Sequence, residues 1–173
     1  VDHRETAFGP QAFAAMYPFI TGHQPKRTTI LAEAKPVLNG AVTGITAGAY
    51  DNIPVPGAKV EIYRVNPKTG AREGKALLSR VTAADGRWGP FTADPKAYYE
   101  FAVQVPGQPV THIYRSPFPR GSSVVFLRPA QLGKGDDAAE SLVMMSRPRG
   151  YFGVGRDKIL LDGNAIAPSE YKR

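Results

Sequence analysis

Two stretches of this chain alternate apolar and polar residues with the two-residue period of a half-buried strand. In AKVEIYRV, residues 58–65, Ala58, Val60 and Ile62 fall on one face and Lys59, Glu61 and Tyr63 on the other. YYEFAVQV, residues 98–105, alternates in the same way. Turn chemistry separates them: NPKTG at 66–70, then AADGRWG at 83–89 with its Asp-Gly pair. The 173 residues include 18 Gly and 16 Pro, a share that suits short strands joined by turns and disfavours long helices. Further strands are expected at 37–46, 76–82, 111–114, 124–127, 142–146 and 158–161, with 47–57 as a Pro- and Gly-bearing connection. Seven or eight such strands call for two packed sheets, because a single sheet of that size leaves one apolar face bare. The expected class is mainly β, an immunoglobulin-like or transthyretin-like sandwich.

The first 22 residues read differently. Phe8, Ala12, Ala15, Met16, Phe19 and Ile20 recur close to helical spacing, with good helix formers between them. Pro10 suits a first turn and Gly22 the residue just past the end, while Pro18 should shorten or kink the last turn. The expectation is one helix packed on something. Residues 23–36 lack a period and read as a linker, so the β module runs from 37 to 173.

Composition removes several chemistries. With no cysteine there is no disulfide framework, thiolate nucleophile or cysteine-ligated metal. The net charge of +7 comes from basic residues dispersed along the chain, including Arg64, Lys68, Arg72, Lys75, Arg80 and Arg87, and without a nucleic-acid motif this reads as a solvated surface. No nucleic-acid partner is expected. No apolar run reaches the roughly 18 residues that a membrane helix needs, so no transmembrane segment is expected. His23 in the linker and His112 in a strand have no third histidine beside them, and Asp136 and Asp137 lack a calcium-loop pattern. None of the four reads as a metal ligand, Asp136 and Asp137 read as a solvated turn, and neither metal nor cofactor is expected.

Two resemblances add to this reading. IPVPGAKVEIYRV, SRVTAADGRWG and YYEFAVQVPG together resemble the carboxypeptidase-regulatory-like and transthyretin-like sandwiches. The opening VDHRETAFGPQAFAAMYPFITG resembles the last strand-to-helix segment of α/β-hydrolase lipases. With HIYRSPFPRGSSVVFLRP and SRPRGYFGVGRDKI, the whole chain resembles the C-terminal end of bacterial secreted lipases and esterases. By that resemblance His3 is the triad histidine, taking a proton from a serine hydroxyl and returning one to the leaving alcohol. No G-x-S-x-G elbow occurs here, so the serine and acid are expected on an upstream α/β-hydrolase polypeptide. A chain beginning at Val1 rather than Met is expected either to have lost a leader or to continue upstream, and this part alone is expected to be inactive. The resemblance implies an ester or lipid substrate and a secreted location.

Four aromatic residues held between Pro and Gly, Tyr114, Phe118, Tyr151 and Phe152, suit loops at a substrate rim, or rings that plug the sandwich ends. A different class also fits the β module: a non-catalytic binding or adhesion domain whose helix is a packing appendage. Helix burial separates the two, since an appendage should lay Met16, Phe19 and Ile20 on the sandwich.

Overall fold

A computed structural model describes residues 9–46, 49–130, 160–161 and 163–165. The chain divides into two compact units, Val1–Gln131 and Leu132–Arg173. In the second, β9 (Leu160–Leu161) pairs antiparallel with β10 (Asn164–Ala165) across a turn in which Gly163 adopts φ 78°.

The first unit is mainly β, one helix followed by two facing sheets. The first sheet has the order β5-β4-β7-β8, all antiparallel: β4 Lys59–Val65, β5 Leu78–Val81, β7 Tyr98–Gln104 and β8 Thr111–Arg115. The period-2 reading holds here. Ala58, Val60 and Ile62 are fully buried, as are Phe101 and Val103 from β7.

The second sheet is less regular. Its spine is residues 36–43, containing β1 (Val37–Leu38), which pairs antiparallel with β6 (Phe91–Thr92). Val42 N donates to Gly86 O at 2.9 Å and Ala93 N to Pro36 O at 2.8 Å along that side. On the other side, residues 122–127 run parallel to the spine: Asn39 N donates to Ser122 O at 2.7 Å and Leu127 N to Ala41 O at 2.9 Å. The spine then continues as β2 (Thr43–Thr46), which turns back into β3 (Ala49–Pro54) with a register shift between Thr43 and Ile45.

Two expectations change here. The single strand expected over 37–46 is broken between β1 and β2, because the chain passes too close to its neighbours at Gly40: a Cβ there would lie 1.8 Å from Val125 O and 3.0 Å from Trp88 Nε1. The connection expected over 47–57 contains β3, since residues 49–54 can satisfy their backbone by pairing with β2. Strands expected at 76–82, 98–105 and 111–114 appear as β5, β7 and β8. The expected strand at 142–146 lies outside the described residues.

Trp88, Phe91, Leu38, Val42 and Leu127 of the second sheet meet Val60, Ile62, Tyr99 and Phe101 of the first. Trp88 stands edge-on to Phe101 and Phe91 edge-on to Tyr99, each pair with centroids 5.4 Å apart. Edge-to-face contacts of this kind add about 0.5–1.5 kcal/mol to the burial of the rings. Trp88 satisfies its buried indole by donating to Val125 O at 3.2 Å, which ties the 122–127 segment to the core.

The helix α1 runs Pro10–Thr21, with Pro10 in the first turn and Gly22 closing it at φ 72°, its N–H on Pro18 O. Its bounds match the expectation. Its packing does not, because no residue of α1 is buried: Phe19 is 92% exposed and Ile20 76%. The ring of Phe13 lies tilted against Tyr17 of the same helix, with centroids 5.4 Å apart. Phe8, expected on the same face, lies outside the described residues.

Candidate functional site

The outward face of the first sheet carries a row of residues that sequence alternation places in solvent. In register across three strands, Tyr63 of β4 faces Glu100 of β7, which faces Tyr114 of β8. One row along, Glu61 and His112 flank Ala102. A carboxylate in the middle of such a face is ordinarily hydrated, yet Glu100 is 1% exposed.

The cover is the β4–β5 connection folding back on the sheet. Asn66 starts its turn, accepting at Oδ1 from Lys68 N at 2.9 Å and at its carbonyl from Gly70 N at 2.8 Å. Gly70 takes φ 72°, a left-handed conformation that reverses the chain cheaply only at glycine. Arg72 then bridges Val65 antiparallel, and Glu73 N donates to Arg64 O at 2.8 Å. This lays the Arg72 guanidinium 3.7 Å above the Tyr63 ring. From there Arg72 Nε donates to Glu100 Oε2 at 2.8 Å and Nη2 to Oε1 at 2.7 Å, a two-point pair.

His112 completes the cluster with Nδ1 2.6 Å from Glu100 Oε1. Hydrogen bonding from Arg72, against the opposing effect of burial and with help from His112, holds the Glu100 carboxyl below the usual range. Glu100 reciprocally raises the guanidinium pKa. An ionised carboxylate only accepts, so the proton of a neutral His112 sits on Nδ1 and Nε2 is left as the outward acceptor. The histidine and arginine side chains are half-exposed, at 47% and 40%, while the carboxylate between them is 2%.

Beside this cluster, the 66–70 turn and the ends of β7 and β8 enclose an open concavity of about 280 Å³. Val65, Pro67, Tyr98 and Tyr114 form its walls, with Arg115 and Ser116 at its edge. Tyr114 belongs to both features, facing Glu100 across the sheet and lining the concavity.

Of the residues singled out from sequence, Tyr114 is exposed at this concavity. Phe118 packs on the core, edge-on to Phe101 with centroids 6.3 Å apart. His3, Tyr151, Phe152, Asp136 and Asp137 lie outside the described residues. His23 is exposed in the linker, while His112 lies in β8 and is a partner of a buried carboxylate. Among the described residues, no group of three His, Asp or Glu side chains could hold a metal ion, and no helix is long and apolar enough to cross a membrane. Sequence reasoning missed Arg72, Glu100, Tyr98 and Arg115. The one available signal was an acidic residue set between aromatics in the middle of a strand.

The sandwich as a whole matches a family model, that of the lipase C-terminal domain, over residues 37–132. The match covers more than half of the chain. The chain belongs to the lipase C-terminal domain family. This lipase C-terminal domain starts, by the match, at the first residue of β1 and takes in both sheets and the whole outward cluster. The expectation of a C-terminal part of a lipase is thereby met. No curated protein matches the chain.

Proposed function

We propose that the chain is the C-terminal end of a secreted serine lipase or esterase, in which His3 is the triad histidine. In this reading residues 1–22 complete an α/β-hydrolase domain, 23–36 link it, and 37–173 form the accessory β domain. The serine and the acid belong to an upstream polypeptide, and His3 shuttles the proton between serine and leaving alcohol. The observation that carries the reading beyond family membership is α1. A helix of mostly apolar residues that leaves Phe19 and Ile20 open offers an apolar surface to other polypeptide. A packing appendage of a free-standing module would have covered that face on the sandwich.

Tyr114, Tyr151 and Phe152 would border the substrate entrance of the assembled enzyme, while Phe118 packs on the core instead. The test is hydrolysis of a p-nitrophenyl ester by this chain joined to the polypeptide bearing serine and acid. His3→Ala should lower kcat by about 10⁴-fold or more. Full activity in that variant would remove His3 from the mechanism. Tyr114→Ala and Phe152→Ser should change the preference among acyl lengths, and an unchanged preference would remove these rings from the entrance.

A further inference from the structure

We infer that residues 23–30 are a cleavable hinge, cut after Arg27 by an endopeptidase that reads cationic side chains, and that the cut sets the sandwich free of α1. Lys26 and Arg27 stand side by side and exposed, between the left-handed close of the helix at Gly22 and the first strand of the second sheet. The hydroxyl of Thr21 bonds both backbone groups of His23, at 3.2 and 3.3 Å. Beyond that, no hydrogen bond holds the backbone of residues 24–30 among the described residues. An endopeptidase takes its substrate as an extended strand, and a segment without backbone bonds reaches that form with no part of the fold opened first. Gln24 to Leu31 place four residues on each side of the Arg27–Thr28 bond, with a threonine rather than a proline just past it. A protease pocket carrying a carboxylate takes arginine or lysine at that point. The cut adds water across the bond, leaving a carboxylate on Arg27 and an amine on Thr28.

The segment ends in a strap. Glu33 N donates to Pro119 O at 2.7 Å, and the Glu33 carboxylate accepts from Gly121 N at 2.8 Å and pairs with Arg120 at 3.0 Å. Arg120 also reaches Leu31 O at 3.4 Å, and Pro36 is buried with its carbonyl on Ala93 N. Unravelling therefore stops at residue 31, although sequence alone reads 23–36 as one linker. Lys35, the next cation, is followed by Pro36, whose ring and missing N–H keep that bond out of such a cleft. Lys59, Arg64 and Arg80 sit inside paired strands, where a cut needs the sheet to open. On the other flank α1 buries no residue, so its loss takes nothing from the core. That the cut parts the accessory domain from His3 rests on the lipase reading; the hinge and the strap do not.

Trypsin at a low ratio is added to the folded 173-residue chain, and fragments are followed by mass and N-terminal sequencing. The fragment keeping Trp88 should start at Thr28 or Arg27 before any cut within residues 37–130 appears. That cut should run within about tenfold of the rate on a free peptide of residues 22–33, because no opening step precedes it. The released sandwich should melt within about 2 °C of the intact chain. Lys26→Gln with Arg27→Gln should leave α1 attached and the melting temperature unchanged. A first cut inside the sandwich, a rate roughly a hundredfold or more below the peptide's, a double variant that sheds α1 at the normal rate, or a fragment that unfolds once α1 is gone would each overturn the assignment. The cut needs no catalytic serine, so a chain cleaved as expected while the assembled protein hydrolyses no ester would sink the catalytic reading and leave the hinge standing.

Discussion

Glu100 holds Arg72 at two points, 2.8 and 2.7 Å, from the side of its sheet that faces away from the core. A buried carboxylate so engaged is costly to leave alone. Arg72→Met should destabilise the domain by about 3 kcal/mol, the low end for a broken buried pair because water reaches the arginine side. Adding Glu100→Leu should recover part of that loss, since neither partner is then left charged and unpaired. Urea denaturation of the two variants checks both statements; a double variant weaker than the single one would mean that the pair itself is strongly favourable.

The same carboxylate sets an acid limit. Its folded pKa lies below the ordinary value of 4.5, so its contribution is complete above that value and is lost as pH falls through the depressed one. Stability should therefore decline below about pH 4.5, and Glu100→Gln should flatten that decline while lowering stability at neutral pH. Unfolding free energies measured between pH 3 and 7 report the slope.

Gly40→Ala should unfold or severely loosen the sandwich, losing at least about 3 kcal/mol. The added methyl would overlap Val125 O and press on Trp88 Nε1, neither of which can retreat without breaking the Trp88 to Val125 hydrogen bond. Trp88 is the one tryptophan of the chain, so its emission reads the damage directly. A native emission spectrum with an unchanged melting temperature would contradict the packing described.

Phe19→Ser with Ile20→Ser should leave the stability of the 173-residue chain within about 0.5 kcal/mol of the starting value, because both side chains are already open. In the proposed assembled lipase the same pair should be destabilising. Equal melting temperatures in both settings would leave the helix face without an occupant.

The strands were most legible where one face is buried and the other is not, as in β4, because period-2 alternation is a direct image of that environment. The break at Gly40 was not, since it records the approach of a segment some eighty residues away along the chain. The cluster was hidden for a related reason. Alternation correctly sends Glu100 outward, and outward ordinarily means wet; only the fold-back of the 66–77 connection, with Gly70 as its pivot, turns that position dry. Tyr114 was found from its Pro- and Gly-rich surroundings, whereas Arg115, its neighbour, looked like one more surface charge in a basic chain.

The parallel seat of residues 122–127 beside residues 37–43 has a consequence for how this protein is made. During synthesis, at about 5–20 residues per second, the first strand of the sandwich emerges long before the segment that must lie alongside it. For those seconds Leu38 and Val42 have no complete partner layer, and the late segment supplies both Leu127 and the carbonyl that receives the Trp88 indole. The sandwich is latched from its far end, so a nascent or truncated chain that stops short of Leu127 exposes an open sheet flank to every other chain around it.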